Sequence, residues 1–334
     1  MGASIKLSEL KSGDIMLFEA PPEMLSQLIS ILTNSPVSHA GISDYNHGYV
    51  LNEQIDGAVK SPLHPKNERA IYIRRLANGA DTTIVADIAT EYVNEQLPYG
   101  KLNLALLGIY ILGYDFSKYS KLHDLIVSVM KLAIFEIIKI VDKKYYDGKD
   151  VTPMVCSQFA AYCYDEAFKR AGAEYKIHYN SNVTSGFNLL KEIIDYIKEH
   201  VGDSFEYKEE QLLAGQNSDA GADEGCIEEL LSSLQGRDNV MKDDLGKGIV
   251  SEEIIKLFYI YGRAVLKLTG SKNEYKDIRK EKVSGEAMLD LFNELIAFQE
   301  TFITPGNLLS DATNLLDMGV LEYTEEELAE YVKQ

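Results

Sequence analysis

Residues 151–172 read VTPMVCSQFAAYCYDEAFKRAG, and this stretch decides the fold. The pattern after Pro153 predicts a helix from Met154 to Ala171 that ends at Gly172. Cys156 then stands just inside the helix start, where free backbone N–H groups and the positive end of the helix dipole favour an anion. A cysteine is a nucleophile only as its thiolate, so this position suits a reactive thiol. The other interpretation is a small buried apolar residue, because free cysteine is among the most buried residue types.

The remaining cysteines, Cys163 and Cys226, predict no further chemistry. Three cysteines in total, without paired-ligand spacing, are not typical of a disulfide framework or of a zinc site. Cys163 follows Cys156 by two helical turns and is expected to pack beneath it in the core. A glycine-rich phosphate loop is also missing from the sequence, so we expect neither a metal nor a cofactor.

Among the six histidines, the best candidate base for such a thiol is His39. It lies in the extended run Ser38–Ile42, where small residues leave room for a substrate or a helix. Glu53 is on the next predicted strand across a short turn, and a hairpin there could set its carboxylate beside the imidazole as the third member of a triad. A surface histidine and an ordinary strand glutamate fit the same residues.

The hydrophobic periodicity changes along the chain from strand-like to helical. Short extended runs separated by turn residues predict an antiparallel meander in the first 76 residues, with strands at 14–18, 39–42, 49–53 and 70–74. A helix is expected at 22–32, between the first two strands. From Asp87 the period is helical, and the longest amphipathic pattern covers 119–144. The chain is therefore predicted to be an α+β protein.

The negative charge lies mainly in the second part of the chain. Residues 1–200 hold 24 acids and 20 Lys/Arg, a net charge of −4, whereas residues 201–334 hold 28 acids and 13 Lys/Arg, a net charge of −15. This shift supports a domain boundary near residue 200. It argues against a nucleic-acid partner, since phosphate binding needs clustered cations.

The N-terminal residues lack the features of a signal peptide. The longest apolar run, at 102–114, has about 13 residues and is too short for a transmembrane span. We therefore expect a soluble cytoplasmic protein, with export by a route that has no recognisable signal left open. The sequence predicts no oligomeric state.

Five short motifs in order resemble the YiiX-like hydrolases, which are circularly permuted papain-fold enzymes of the NlpC type. The motifs are Gly13–Ile15, Ser38–Ile42, Glu53 with Gly57–Val59, Pro98–Gly100 and Val155–Phe159. The resemblance covers about residues 8–200, and it implies Cys156 as nucleophile, His39 as base and Glu53 as the orienting group. It also implies that Tyr99 lines the active site, and we expect Ser38 and Ser157 to contact the substrate there too. The family commonly has an acidic residue where this chain has Gly100.

The expected domains are a permuted papain-like catalytic domain at 1–200 with a helical insertion at about 102–150, an acidic linker or mobile loop at 201–250, and a helical C-terminal region at 251–334 that is a candidate lid. Three functions remain open. The first is a cysteine amidase or peptidase that acts through an acyl-enzyme on a small peptide or amide. The second is a lipid acyl hydrolase or transferase of the lecithin:retinol acyltransferase type, with 102–114 and 119–144 walling an acyl groove. The third is a non-catalytic module that binds a lipid or a partner.

Overall fold

The computed structural model describes residues 3–54, 57–63, 69–94, 105, 107–114, 122–147, 156–180, 189–200, 204–208, 220–235, 250–268 and 280–331. Within these ranges the chain combines a mixed β-sheet with many helices. The predicted α+β class is confirmed.

The strands are β1 (Ser4–Lys6), β2 (Ile15–Glu19), β3 (Val37–Asp44), β4 (Tyr49–Gln54), β5 (Gly57–Pro62), β6 (Ile71–Leu76), β7 (Ser204–Lys208), β8 (Lys280–Ser284) and β9 (Leu315–Glu322). Seven of them form one sheet in the order β1-β9-β6-β2-β3-β4-β5, while β7 and β8 form a separate pair. Strands β2 to β6 pair with one another in antiparallel orientation, in agreement with the predicted antiparallel meander. The complete sheet is mixed rather than antiparallel, because β1 and β9 run parallel.

The central strand β2 is buried on both faces, which explains its unbroken apolar run. Ile15 and Leu17 face one core, and Met16 faces the other, each with no exposed surface. A strand covered on one face only would alternate apolar and polar residues, whereas one covered on both faces has no polar side to present.

The helices are α1 (Met24–Leu32), α2 (Thr83–Asn94), α3 (Leu107–Gly113), α4 (His123–Asp147), α5 (Cys156–Ala171), α6 (Leu189–Glu199), α7 (Ala220–Gln235), α8 (Glu252–Leu268), α9 (Gly285–Thr301) and α10 (Glu325–Tyr331). Helices α2 and α5 pack on one face of the sheet, sharing a core with β2 and β3. The remaining large helices form a bundle with its own core.

Helix α8 is the centre of that bundle, since it is apolar around nearly its whole circumference. Ile254, Phe258, Tyr261 and Val265 have no exposed surface, and Arg263 is only 2% exposed. A helix without a polar face has to be surrounded by protein or lipid. Here α8 packs against α4 and α9. Within the described ranges, no helix has both the length and the apolar character needed to cross a membrane.

The C-terminal region contributes to the central sheet. Strand β9 lies between β1 and β6. Its residue Leu321 is fully buried in the same core as Met16 of β2. The sequence predicted a helical region at 251–334, a candidate lid, beyond a boundary near residue 200. Residues on both sides of that boundary contribute strands to one sheet, and the lid role of 251–334 stays a prediction.

Part of the predicted acidic linker at 201–250 has regular structure. Residues 204–208 form β7, and α7 places Leu230 and Leu234 in the bundle core with no exposed surface. With Ile227 and Leu231, these leucines give the helix an apolar stripe that packs on the bundle although the surrounding composition is acidic. The other residues of 201–250, apart from Val250, lie outside the described ranges.

A buried ion pair ties the start of β2 to β6. The Asp14 carboxylate has no exposed surface and accepts hydrogen bonds from Arg75 Nε at 2.7 Å and Nη2 at 2.6 Å. Burial raises the pKa of Asp14, while Arg75 and the Lys11 N–H group act in the opposite direction. The carboxylate therefore depends on Arg75 to stay charged in the interior.

We predict that Arg75→Met lowers the free energy of unfolding by about 3–5 kcal/mol at pH 8, because it leaves a buried carboxylate without its partner. The loss should be smaller at pH 5. A carboxyl whose folded pKa lies above its unfolded pKa destabilises the fold as pH rises, and protonation removes that penalty at low pH. Urea denaturation at both pH values measures the effect.

The matched control is Arg170→Met, which breaks the exposed pairs with Glu91 and Glu166 and should leave the urea midpoint nearly unchanged. Equal destabilisation by Arg75→Met at pH 5 and pH 8 would contradict the assigned role of Asp14.

Candidate functional site

The described part of α5 begins at Cys156, close to the helix start that the sequence predicted. Its side chain is 3% exposed. The first turn of a helix has backbone N–H groups without intrahelical partners, so polar atoms placed there receive hydrogen bonds. Two effects therefore oppose each other at Cys156: the backbone N–H groups favour a thiolate, and burial disfavours it.

Three backbone N–H groups face this sulphur, those of Ala40, Ser157 and Cys156 itself. Burial is the largest influence and raises the pKa of the Cys156 thiol to about 11, while the three N–H groups act to lower it. The thiol is consequently neutral at pH 7. The same donors suit an oxygen that becomes negatively charged during a reaction.

The Ala40 N–H group is available because β3 and β4 separate at this point. Their register pairs Gly41 with Asn52 and continues to Asp44 with Tyr49. Ser43 exchanges backbone hydrogen bonds with the β2 side, so Ala40, three residues earlier, directs its N–H toward the β4 side. In the described register no β4 residue pairs with Ala40, and the thiol sulphur occupies that position.

His39 precedes Ala40 on β3 and is half-buried. Its ring lies opposite Phe18 of β2, with the ring centroids 5.6 Å apart. Burial is the main cause that lowers the pKa of His39 to about 4, and the positive charge of Arg69 adds to this, whereas a hydrogen bond with Asn52 raises the pKa. The imidazole is thus neutral at pH 7 and able to accept a proton.

Asn52 sets which nitrogen of His39 carries the proton. Asn52 Nδ2 donates to the Val50 carbonyl at 3.3 Å, so its Oδ1 is the atom that faces His39 Nε2, at 3.1 Å. An amide oxygen only accepts, and Nε2–H is therefore the donor. The lone pair is left on Nδ1, which makes Nδ1 the basic nitrogen.

Asn52 is thus a residue at the histidine that sequence reasoning missed. Glu53 was expected there; its backbone pairs with Ala58 in β4, and its side chain lies outside the described residues. Gly41 makes the Asn52 contact possible, because a Cβ at Gly41 would come within 2.8 Å of Val50 Cγ1 and 3.1 Å of Asn52 Cβ. The small residues after His39 leave room for the neighbouring strand.

The structure brings Cys156 and His39 to the same part of β3 without a direct hydrogen bond between them. The sulphur contacts Ala40, the residue next to His39. The Ala40 side chain lies in the core beneath α5, while His39 lies on the opposite face with Phe18. The sulphur therefore lies at the edge of β3 beside Ala40, while the imidazole lies next to it along the strand, on the face of the sheet that carries Phe18.

The predicted substrate residues have different surroundings. Ser157 Oγ donates to the Ile303 carbonyl at 2.7 Å, which joins the start of α5 to the segment after α9. Ser38 is 8% exposed, and its hydroxyl has no hydrogen-bond partner in the described part of the chain. Tyr99 lies outside the described residues. Ser157 is thus a structural contact, whereas Ser38 keeps an unused hydroxyl.

A second residue that sequence reasoning missed is Tyr110, on α3. Burial raises its pKa, and the proximity of Cys156 adds to that effect. Its ring packs edge-on against Phe302, with centroids 5.6 Å apart. Tyr110 sits in an apolar run, and nothing in that run indicates that it approaches the cysteine.

No family model and no curated protein matches this chain. Among solved structures, the chain is similar to the crystal structure of the metalloprotein yiiX from Escherichia coli O157:H7, with 14% identity over 94% of this chain and 98% of that chain, and a TM-score of 0.33. At that identity and TM-score the likeness assigns neither a fold nor an activity to this chain.

The raised pKa of Cys156 predicts slow alkylation at neutral pH. Between pH 7 and pH 10 its rate with iodoacetamide should increase roughly tenfold per pH unit, because only the thiolate reacts. Mass spectrometry of the peptide containing Cys156 measures the rate, and Cys156→Ala identifies modification at Cys163 or Cys226. A rate that is already maximal at pH 7 would show a preformed thiolate and contradict the neutral state.

Proposed function

We propose that the protein is a cysteine amidase or peptidase, with Cys156 as nucleophile, His39 as general base and Asn52 as the residue that positions the base. The observation that carries the proposal is the surroundings of the sulphur: three backbone N–H groups face it, and one of them belongs to the residue next to His39. A structural cysteine needs neither the donors nor the neighbouring neutral imidazole.

The two pKa shifts favour general-base catalysis over a resting ion pair. With the pKa of Cys156 near 11 and that of His39 near 4, the thiolate–imidazolium pair is not populated in the free enzyme. His39 Nδ1 takes the thiol proton as the sulphur bonds to the substrate carbonyl carbon. The backbone N–H groups then stabilise the negative carbonyl oxygen.

The remaining steps follow from this intermediate. The carbon–nitrogen bond of the amide breaks, the imidazolium gives its proton to the leaving amine, and a thioester with Cys156 remains. Water attacks the thioester while His39 accepts its proton. The carbon–sulphur bond then breaks, the acid is released, and the proton returns to the sulphur.

The order of the elements supports a permuted papain-like arrangement. The histidine strand β3 precedes the cysteine helix α5 in the chain, and the helix start meets that strand at Ala40. We infer that the permuted arrangement applies here, with β9 as an additional strand from the C-terminal region.

The alternative of a lipid acyl hydrolase or transferase has less support. It required the apolar segments 102–114 and 119–144 to form the walls of an acyl groove. In the structure Leu107, Ile111 and Leu112 of α3 are buried in the bundle core, as are Ile126 and Ile134 of α4. Apolar surface that already packs against other helices is not available to an acyl chain.

The first test uses intact-protein mass spectrometry during turnover of γ-D-glutamyl peptides, acyl-amino acids and fatty acyl esters. The wild type should accumulate an acyl adduct on Cys156, and Cys156→Ala should lose at least about 10³-fold in kcat. Cys163→Ala is the control, because it removes a buried thiol from the same helix. Turnover that survives Cys156→Ala would exclude this site, and equal inactivity of every protein on all substrates would favour the non-catalytic binding module.

The second test concerns Asn52. The acid limb of kcat/KM should report His39 and lie near pH 4 in the wild type, since protonated His39 cannot accept the thiol proton. Asn52→Ala removes the bond that raises this pKa, so the limb should shift to lower pH while the plateau falls about 10- to 100-fold because the tautomer is no longer held. An unchanged limb would contradict the positioning role.

A further inference from the structure

Arg69 stands at the same end of the sheet as His39. Ala70, the residue after Arg69, is held by two hydrogen bonds to Glu19: the Glu19 N–H donates to the Ala70 carbonyl at 2.9 Å, and the Ala70 N–H donates to Glu19 Oε2 at 2.8 Å. The next residue, Ile71, pairs with Phe18 across β6 and β2. Phe18 in turn pairs with His39, so Ile71 and His39 flank the same phenylalanine, and Arg69 precedes Ile71 by two residues.

The guanidinium of Arg69 makes no ion pair or hydrogen bond with any residue that the structure describes, although the side chain is half-buried. Other arginines in these ranges form ion pairs: Arg74 with Asp317, Arg75 with Asp14, and Arg170 with Glu91. The carboxylate of Glu19, which lies beside Arg69 in the fold, accepts the Ala70 N–H instead. Arg69 thus keeps its planar set of donors available.

The charge of Arg69 acts on His39. After burial, it is the influence that lowers the pKa of the imidazole, whereas the hydrogen bond that His39 donates to Asn52 raises it. The field of the guanidinium therefore reaches the imidazole, so an anion bound to Arg69 would act on His39 as well. A bound anion would offset the arginine charge and make His39 a stronger base.

We propose that Arg69 is a specificity-determining residue that binds a carboxylate of the substrate beside His39. The inference rests on the proposed function and narrows it to acyl groups that carry an acid, such as acidic amino acids and peptides. A guanidinium recognises a carboxylate through two parallel hydrogen bonds, whereas a neutral fatty acyl ester offers it no such group.

Binding is measured first, because it needs no turnover. In the Cys156→Ala protein, calorimetry compares γ-D-glutamyl p-nitroanilide, which has a free α-carboxylate, with its α-carboxamide analogue. The carboxylate probe should bind roughly 10- to 100-fold more tightly. Adding Arg69→Gln should remove this difference by weakening only the carboxylate probe, Arg69→Lys should restore part of it, and Arg170→Gln should leave it intact.

The inference is overturned if the two probes bind equally, if neither binds, or if Arg69→Gln weakens both to the same extent. Turnover of the carboxylate probe by the protein with Cys156 intact is then measured separately. A carboxylate preference in binding that depends on Arg69, together with no turnover, would refute the proposed hydrolase while confirming the anion site. Turnover without a carboxylate preference in binding would support the proposed hydrolase and refute the anion site.

Discussion

The contact between the start of α5 and the edge of β3 holds the candidate site together. At Ala40 the strand has lost its partner β4, and the free N–H group points at the sulphur of Cys156. A helix start is rich in unpaired donors, and a strand edge adds another from a different element. The sulphur lies among these donors in a buried position. Burial keeps the thiol neutral at rest, and the donors can stabilise negative charge that develops during a reaction.

This contact depends on residues far away in the sequence. Ser157 is tied to Ile303, and Phe302 packs on Tyr110 beside the cysteine. Leu308 and Leu315 lie in the core that α5 shares with the sheet. The position of Cys156 is thus set jointly by the helix that carries it, the strand that it meets and a segment from the C-terminal region. The aromatic contact links the site to the helical bundle as well.

The local elements were the predictable part. Cys156 at a helix start and the strands of the meander follow from short-range patterns, and the structure contains them. The Asn52 contact could not be predicted without the register, which places Asn52 opposite Gly41. Positions an even number of residues apart share a face of the sheet, so Asn52 shares the face of His39. The role expected of Glu53 stays a prediction. Without the register, a carboxylate is the more obvious partner for an imidazole.

Strand β9 was not predicted because its signal is not local. Its residues alternate irregularly between buried and exposed, and Gly319 adopts a φ of 92° that interrupts a regular strand pattern. The strand is defined by its partners β1 and β6, which lie near the opposite end of the sequence. A pairing between distant segments leaves little trace in either segment alone.

The position of β9 also bears on how the chain folds during synthesis. Strands β2 to β6 emerge early from the ribosome, but the edge of β6 stays without its neighbour until residues after Leu315 have been made, some tens of seconds later at about 5–20 residues per second. An unpaired edge beside buried Ile71 and Ile73 is a template for association with other chains. The nascent protein thus has a period of exposure that the finished sheet conceals, and a chaperone that covers strand edges would protect it at that stage.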